Sequence, residues 1–534
     1  MISHFWKKIR TKSIAFWFIY IVILLYSVVN DLHFFDFTYA DTGSYYEASG
    51  NPYAKMFYFT LKTAFAVLLY FFMNMISREF TAVRNKNRDS RRRLIFVLLI
   101  LIVYIIFLIL CWPGVWWCSG ADEFKMVDFI SHLQVQYHQG FMMSLFYFLA
   151  FMIYPNPVSV VILQMLLGSI LLGTILADWW KNRHHISVVI IVCIIFSPCG
   201  LYFALYPMRA YLTALFLIYF IYQYRNIRNR NSVDKKEWIK LVITGCLVVN
   251  FRIEMMILIV MLPFLMWEKA RMHDKKYLRL IGECVLILCL SVCCVSCWNK
   301  LGNQSNSMSH NLLSFTSPMG EIFARHYEEI DVEDLAILDQ FFDISKMREE
   351  HLNPDNVLKY NGYERLNYPG ASYAYTAEDC RQVKKTIAKL LLKYPDIYLQ
   401  NKILLVKRTF GLDGEGDNKY RFPEEIRPER IAYLFKQIDP ALADWIKNKL
   451  AGSFQIGKVR MFPVFYAMWV PFVLLLVDLI YALFRRNVKL IVLRIMVIMM
   501  FLAVFMTAMH PYTMYYFAPC MAAWFVLLLV SHDK

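Results

Sequence analysis

Asp122 and Glu123 close the segment Trp112-Pro-Gly-Val-Trp-Trp-Cys-Ser-Gly-Ala and are the carboxylates of this sequence best placed for chemistry. Adjacent acids just above a membrane surface could take a proton as a general base or hold a metal ion. The plainer reading is an interfacial turn with solvated acids. Pro113 and Gly114 would end a helix there. Trp112, Trp116 and Trp117 suit the headgroup belt, and such rings can also stack on a sugar or line a lipid path. His138, in Gln136-Tyr-His-Gln-Gly140, has the chemistry to donate to a phosphate or to move a proton, unless it is an ordinary interfacial histidine. In Tyr206-Pro-Met-Arg209-Ala-Tyr211 an arginine opens an apolar helix. The dipole does not favour a cation at that end, but an anion would, and the guanidinium fork fits phosphate oxygens.

Two further clusters are polar islands in apolar surroundings. Arg252 and Glu254 sit in the middle of an apolar run of about 30 residues, where charges are costly and face a cavity or a partner. Residues two apart do not share a helix face, so these two are expected to have different neighbours. The last is His510-Pro-Tyr-Thr-Met-Tyr515-Tyr516.

The elements that must hold these residues are helices in a bilayer. The chain of 534 residues is 58% hydrophobic and 18% charged, against roughly 25% charged in soluble domains, and its mean hydropathy is +0.42. The net charge of +16 comes from short basic runs between apolar stretches, a positive-inside pattern that suits lipid headgroups and argues against nucleic acid. A span needs about 20 apolar residues. Candidates are 13–30, 53–77, 94–111, 141–154, 158–178, 186–204, 207–224, 238–250 with 253–267, 279–297, 461–484, 490–509 and 513–531. Their backbone must satisfy its own hydrogen bonds, so they are helical. The basic residues before Ile14 resemble the start of a signal peptide, but more spans follow at once, so the first reads as an uncleaved helix. The twelve cysteines, with one isolated Cys294-Val-Ser-Cys297 pair, read as small hydrophobes.

The predicted fold class is therefore an all-α polytopic membrane protein of about 11–13 helices with a mainly α extracytoplasmic domain. Residues 1–297 form an N-terminal transmembrane region with exterior loops 31–52 and 112–140, 298–460 the exterior domain, and 461–534 the C-terminal helices. Charge places both termini in the cytoplasm. The stretch 141–178 must then cross an odd number of times although it holds two apolar runs split by Pro155-Asn-Pro157; either one run does not cross or the loop 181–185 faces outward. The four polar clusters all fall on the exterior side, and one shared cavity accounts for them most economically.

This layout resembles the C-type superfamily of polytopic membrane glycosyltransferases, which use polyprenyl-phosphate-linked sugar donors. The Trp-Pro-Gly segment ending in Asp122 resembles their early exterior loop, in which a Pro-Gly pair precedes an aspartate. Asn250-Phe-Arg252-Ile-Glu254 resembles their arginine-plus-acid element. Ser197-Pro198 followed by Arg209 is similar to their middle helices, and Tyr394-Pro-Asp-Ile-Tyr-Leu399 to a short amphipathic element preceding a return to the membrane. The turn at His510–Tyr516 resembles the final exterior turn, with His510 where an arginine is common. The resemblance implies Asp122 as base, Glu123 as helper or metal ligand, His138 beside them, and Trp112, Trp116, Trp117, Tyr206, Arg209, Tyr211, Arg252, Glu254, His510 and Tyr515 around the substrate. Because two spans come before the one that leads into the presumed catalytic loop, where many members have one, Asp36 and Asp41 in 31–52 are the alternative bases.

The implied reaction is inverting transfer of a sugar from the lipid donor to a cell-surface or wall glycan at the outer face of the plasma membrane. Some members use a divalent cation, Mg or Mn, and others none; an isolated Asp-Glu pair does not demand one, so the metal stays open. The other function classes are a transporter or flippase of a lipid-linked or anionic substrate, a polysaccharide polymerase, and a non-catalytic scaffold. No Gly-rich phosphate loop is present.

Overall fold

The computed structural model describes residues 14–37, 53–116, 122–135, 140–229, 235–272, 274–302, 307–349, 377–412, 433–452, 455–456, 459–486, 488–508 and 512–530. Almost all of it is helix, with one two-residue antiparallel bridge, Gln455–Ile456 against Val459–Arg460. Among the described residues seven helices are long and apolar enough to cross a membrane. The chain is thus an α-helical, multi-pass membrane protein. It divides into two compact units, Met1–Phe196 with Gly200–Leu215 and Tyr420–Lys447, and Ser197–Cys199 with Phe216–Lys419 and Asn448–Lys534.

In the first unit, α1 (Ile14–Phe34), α2 (Ala54–Arg84) and α3 (Arg88–Leu110) are single apolar runs. A tight turn joins α2 to α3, with Lys86 at φ 57°. The Asn87 side chain caps α3 by accepting from the amides of Asp89 and Ser90. After α4 (Asp122–Ser131), α5 (Gly140–Phe151) has 12 residues, about 18 Å of helix against a hydrocarbon core of about 30 Å. It stops at the Pro155-Asn-Pro157 break, and α6 (Pro157–Lys181) begins with Pro157 in its first turn and the Asn156 side chain as cap.

The ends of α6 show which of the two runs crosses. Val161, near its start, lies against Gly114 just beyond the end of α3, and Lys181 at its finish pairs with Asp89 at the start of α3 (2.6 Å). So α6 runs antiparallel to α3 over its whole length, and α5 is a half-length segment at the Gly114 end. Gly173 is what lets the two long helices approach. A Cβ there would lie 2.8 Å from the backbone nitrogen and 2.9 Å from the Cα of Val97, the close approach that small residues permit between membrane helices. Gly173→Ala is expected to force the pair apart and to lower stability by about 1–3 kcal/mol in thermal unfolding of the detergent-solubilised protein.

The run 186–204 is not one straight helix. It is α7 (His185–Ile195) and α8 (Pro198–Leu205), bent by 59° at Ser197-Pro198, because the proline cannot continue the preceding helix. The next helix, α9 (Arg209–Asn229), spans the expected 207–224 but carries Arg209, Gln223, Arg225 and Arg228, and is not among the seven.

In the second unit, α10 (Lys235–Phe251) and α11 (Ile257–Met272) are separated by the extended residue Arg252 and the short turn Ile253–Met256. This is the break expected within 238–267. Next come α12 (Asp274–Gly302), with Arg279–Cys297 as its apolar part, and α13 (Ser307–His326). Helices α14 (Val332–Asp339), α15 (Ile344–Glu349) and α16 (Ala377–Lys393) close a core of Met319, Phe323, Leu338, Phe342, Val383 and Leu390, all within the 298–460 region. Helix α17 (Pro395–Thr409) follows; α18 (Pro440–Leu450) belongs to the first unit as far as Lys447. The C-terminal helices are α19 (Phe462–Phe465), continued by α20 (Trp469–Phe484), then α21 (Val488–Thr507) and α22 (Phe517–Phe525). Between α20 and α21 an ion pair, Arg494–Asp478 at 2.5 Å, is held in the interior with Arg494 buried. Among the described residues the predicted spans thus appear as seven full-length helices, one bent pair, three shorter apolar helices at 140–151, 253–266 and 517–529, and the two more polar helices α9 and α10.

Candidate functional site

The first exterior segment starts from a buried charge. Asp31, counted in the loop 31–52, lies in the last turns of α1 with its carboxylate fully buried. It accepts from Lys62 Nζ (2.5 Å) and from the Tyr58 hydroxyl (2.8 Å), both on α2. Lys62 also donates to Ser27. A lysine eight residues into an apolar helix needs an anion, and Asp31 is the carboxylate within its reach. The chain leaving α1 is therefore fixed just before Asp36.

Asp36 then meets the second exterior segment. Its amide donates to the carbonyl of Ser131 at the end of α4 (2.7 Å). Its carboxylate lies 3.7 Å from His132 Nε2, and His132 Nδ1 is 3.7 Å from the carboxylate of Asp128. Nδ1 is also 3.0 Å from the Asp128 carbonyl and 3.2 Å from Ser131 Oγ, so the imidazole is fixed from its own helix. The two loops that compete for the base are thus joined through one histidine between two acids. Asp122 and Glu123 occupy the opposite end of α4, about 14 Å away by helix rise. No single reacting atom can use both ends.

The Trp-Pro-Gly segment is a turn packed against the end of α8. Trp112–Pro113 is a cis peptide and Gly114 has φ 119°, a conformation that needs glycine. A Cβ on Gly114 would meet the Leu205 carbonyl at 3.0 Å, and the next amide, Val115, donates to that same oxygen (3.0 Å). Trp116 is buried edge-on to Phe435 (4.9 Å) and near Tyr147, so its ring serves packing, while Trp112 keeps part of its surface exposed. The segment 203–207 is held further by Gln164 of α6. Its Nε2 lies 2.9–3.0 Å from the carbonyls of Phe203, Ala204 and Tyr206, and Tyr147 donates to Pro207 O (2.9 Å). These contacts set the start of α9 and hence Arg209. Tyr206 is buried, and Tyr211 is buried with its hydroxyl 2.8 Å from that of Tyr104, where Gly168 leaves room for it.

In the second unit Arg252 is buried and its donors are engaged. Nη2 donates to Glu254 Oε1 (3.0 Å), and Nη1 to the carbonyls of Met514 (2.8 Å) and Tyr515 (3.2 Å). Tyr515, also buried, places its ring 5.3 Å from the guanidinium. Arg252 and Glu254 were expected to have different neighbours, and instead they pair with each other. The rule for residues two apart holds inside a helix, and here Arg252 has extended backbone (φ −144°, ψ 124°).

Lys402 is a buried cation that no pattern of residues singled out. It donates to the Ala508 carbonyl at the end of α21 (2.6 Å), and burial pushes its amine down to about 8. Between that value and the ordinary 10.5 the unfolded chain binds more protons than the folded one, so stability rises with pH across this window. Thermal unfolding should show the rise between about pH 8 and pH 10. Lys402→Met should reduce it by at most about 3 kcal/mol relative to the unaltered chain, and Lys447, which burial lowers in the same way, contributes in the same direction.

Asp41, Trp117, His138 and His510 lie outside the described residues, as do the side chains of Asp122 and Glu123. Of the four polar clusters, the structure brings the Trp-Pro-Gly turn to the end of α8 in one unit, and Arg252-Glu254 to 514–515 in the other. Asp128, Ser131 and His132 were missed, although their i, i+3, i+4 spacing on a short helix was a usable signal, as was Lys62 within an apolar run. Among the described residues no group of three or more His, Cys, Asp or Glu could hold a metal ion. No protein-family model matches the chain, and neither a curated protein nor a solved structure is found to be similar to it.

Proposed function

We propose that the chain is a membrane glycosyltransferase that moves a sugar from a polyprenyl-phosphate donor to a cell-surface or wall glycan. The observation that supports this reading best is the meeting of the two early loops, where the carboxylates of Asp36 and Asp128 each lie 3.7 Å from one nitrogen of the His132 imidazole. A carboxylate takes the proton of the acceptor hydroxyl while that oxygen bonds to the anomeric carbon. The bond from that carbon to the phosphate oxygen breaks, the electron pair leaves on the lipid phosphate, and the anomeric centre inverts. Asp122 is the first candidate for the base, by its place after the Trp-Pro-Gly turn. Asp36 is the second, favoured by its imidazole neighbour. Arg209 is the candidate partner for the donor phosphate, and Arg252 orders the turn at 512–516.

A transporter of a lipid-linked or anionic substrate is the second reading. It is favoured by the intramembrane pairs Lys62–Asp31 and Arg494–Asp478 and by the broken helices at Ser197 and Arg252.

The deciding experiment is transfer from a panel of radiolabelled polyprenyl-phosphate sugars, with membranes containing or lacking the chain. Chain-dependent transfer of one sugar to a glycan acceptor is the expected result. No transfer from any donor, with uptake of the labelled lipid across sealed vesicles, would replace the enzyme by the transporter.

A further inference from the structure

We propose that α17 lies in the membrane–water interface, with Leu399, Ile403 and Val406 set among the lipid headgroups and upper acyl chains. The first observation is where this helix is fastened. Tyr398 donates to the carbonyl of Met506 (2.8 Å) and Lys402 to that of Ala508. These are the last carbonyls of α21, one of the seven helices able to cross a bilayer. Four residues short of a helix end they would find no intrahelical donor, so α17 caps a spanning helix and sits at the depth where that helix stops.

The second observation is how its surface is divided. Ile397, Asn401, Lys402, Leu405 and Thr409 are buried, and Asn401 donates to Ser317 of α13 (2.7 Å). Leu399 and Ile403 are 50% and 42% exposed, and Val406 is partly exposed. Their spacing of four and three makes one flank, and by helix geometry that flank adjoins the Tyr398–Lys402 edge that reaches α21. Asp396, Gln400 and Lys407 are exposed on the far side of this flank. Helix α17 therefore shows a packed sector, an apolar sector and a polar sector in sequence around its axis.

The third observation identifies the occupant. Leu502 and Met506, in the last turns of α21, are 48% and 44% exposed on a helix of membrane-spanning length. Their surface is lipid-facing, and the apolar flank of α17 continues it from the residue next to Tyr398. The flank is only three residues wide and bounded at once by charged and amide side chains. That is the form of an interfacial helix, whose apolar face enters the headgroup–acyl boundary by about 5–10 Å.

The test uses the full chain in nanodiscs of phosphatidylcholine and phosphatidylglycerol, with an environment-sensitive fluorescent amino acid placed singly at 396, 399, 400 or 403. All four positions are exposed, and only monodisperse preparations are compared. Lipids spin-labelled near the headgroup should quench positions 399 and 403 at least about threefold more than 396 and 400, with aqueous iodide giving the reverse order. In the unaltered chain, a photoactivatable lipid should attach to peptides covering 399–406. Equal iodide quenching at all four positions, with no lipid adduct, would return the flank to water. Protection of 399 and 403 from both quenchers would mean that protein covers it, and the inference would fail in that case as well. Neither result bears on sugar transfer, so the two proposals stand or fall separately.

Discussion

Asp122→Asn is expected to reduce sugar transfer by roughly 10²–10⁴-fold, the usual contribution of a positioned general base, with little change in thermal stability. Asp122 and Asp36 stand at opposite ends of α4, about 14 Å apart, so only one can reach the acceptor hydroxyl. With Asp122 as base, Asp36→Asn disturbs the join between the loops and lowers transfer by a smaller factor, on the order of tenfold. The opposite ranking would move the base to Asp36. In that event His132→Gln should lower transfer as well, because the imidazole 3.7 Å from the Asp36 carboxylate positions it against α4. Rates for both asparagine variants, measured at saturating donor after equal yields of folded protein, distinguish the two.

The other large effect is on stability. Arg252→Met is expected to cost about 3–5 kcal/mol, since it takes away the guanidinium that pairs with the largely buried Glu254. It also removes the donor that serves Met514 and Tyr515. Adding Glu254→Leu should recover most of the loss and leave about 1–3 kcal/mol for the two carbonyls stripped of a partner. Thermal unfolding in detergent of the two single variants and the double variant gives the three values. If the double variant is no more stable than Arg252→Met, the buried charge is not the source of the loss. The tether to 514–515 would then be the whole of it, and Tyr515→Leu should reproduce part of the effect.

Long apolar runs made most spanning helices legible. Helices α1, α3, α6, α20 and α21 fall within several residues of the expected bounds because about 20 apolar residues have few alternatives in a bilayer. The break at Arg252 was legible for the same reason, since a charge inside such a run must interrupt it or find a partner. What failed was local: one proline divided 186–204, and an extended residue let Arg252 reach Glu254. The site was less legible than the fold. Tyr211 and Trp116 have the residue types of a binding surface, yet both are spent on packing. Lys62 and Asp31 pair across 31 residues of sequence, and His132 reaches Asp36 across 96, distances at which no periodicity carries a signal. The half-crossing by α5 became clear only from the ends of its neighbour, where Lys181 meets Asp89.

The Lys62–Asp31 pair also constrains how the protein is made. Inserted alone, each helix would bring an unpaired charge toward lipid, at a cost of up to about 2.5–3.5 kcal/mol at a helix centre and less toward its ends. Together they present a neutral, hydrogen-bonded pair. Entry of α1 and α2 as one hairpin would avoid that cost for both.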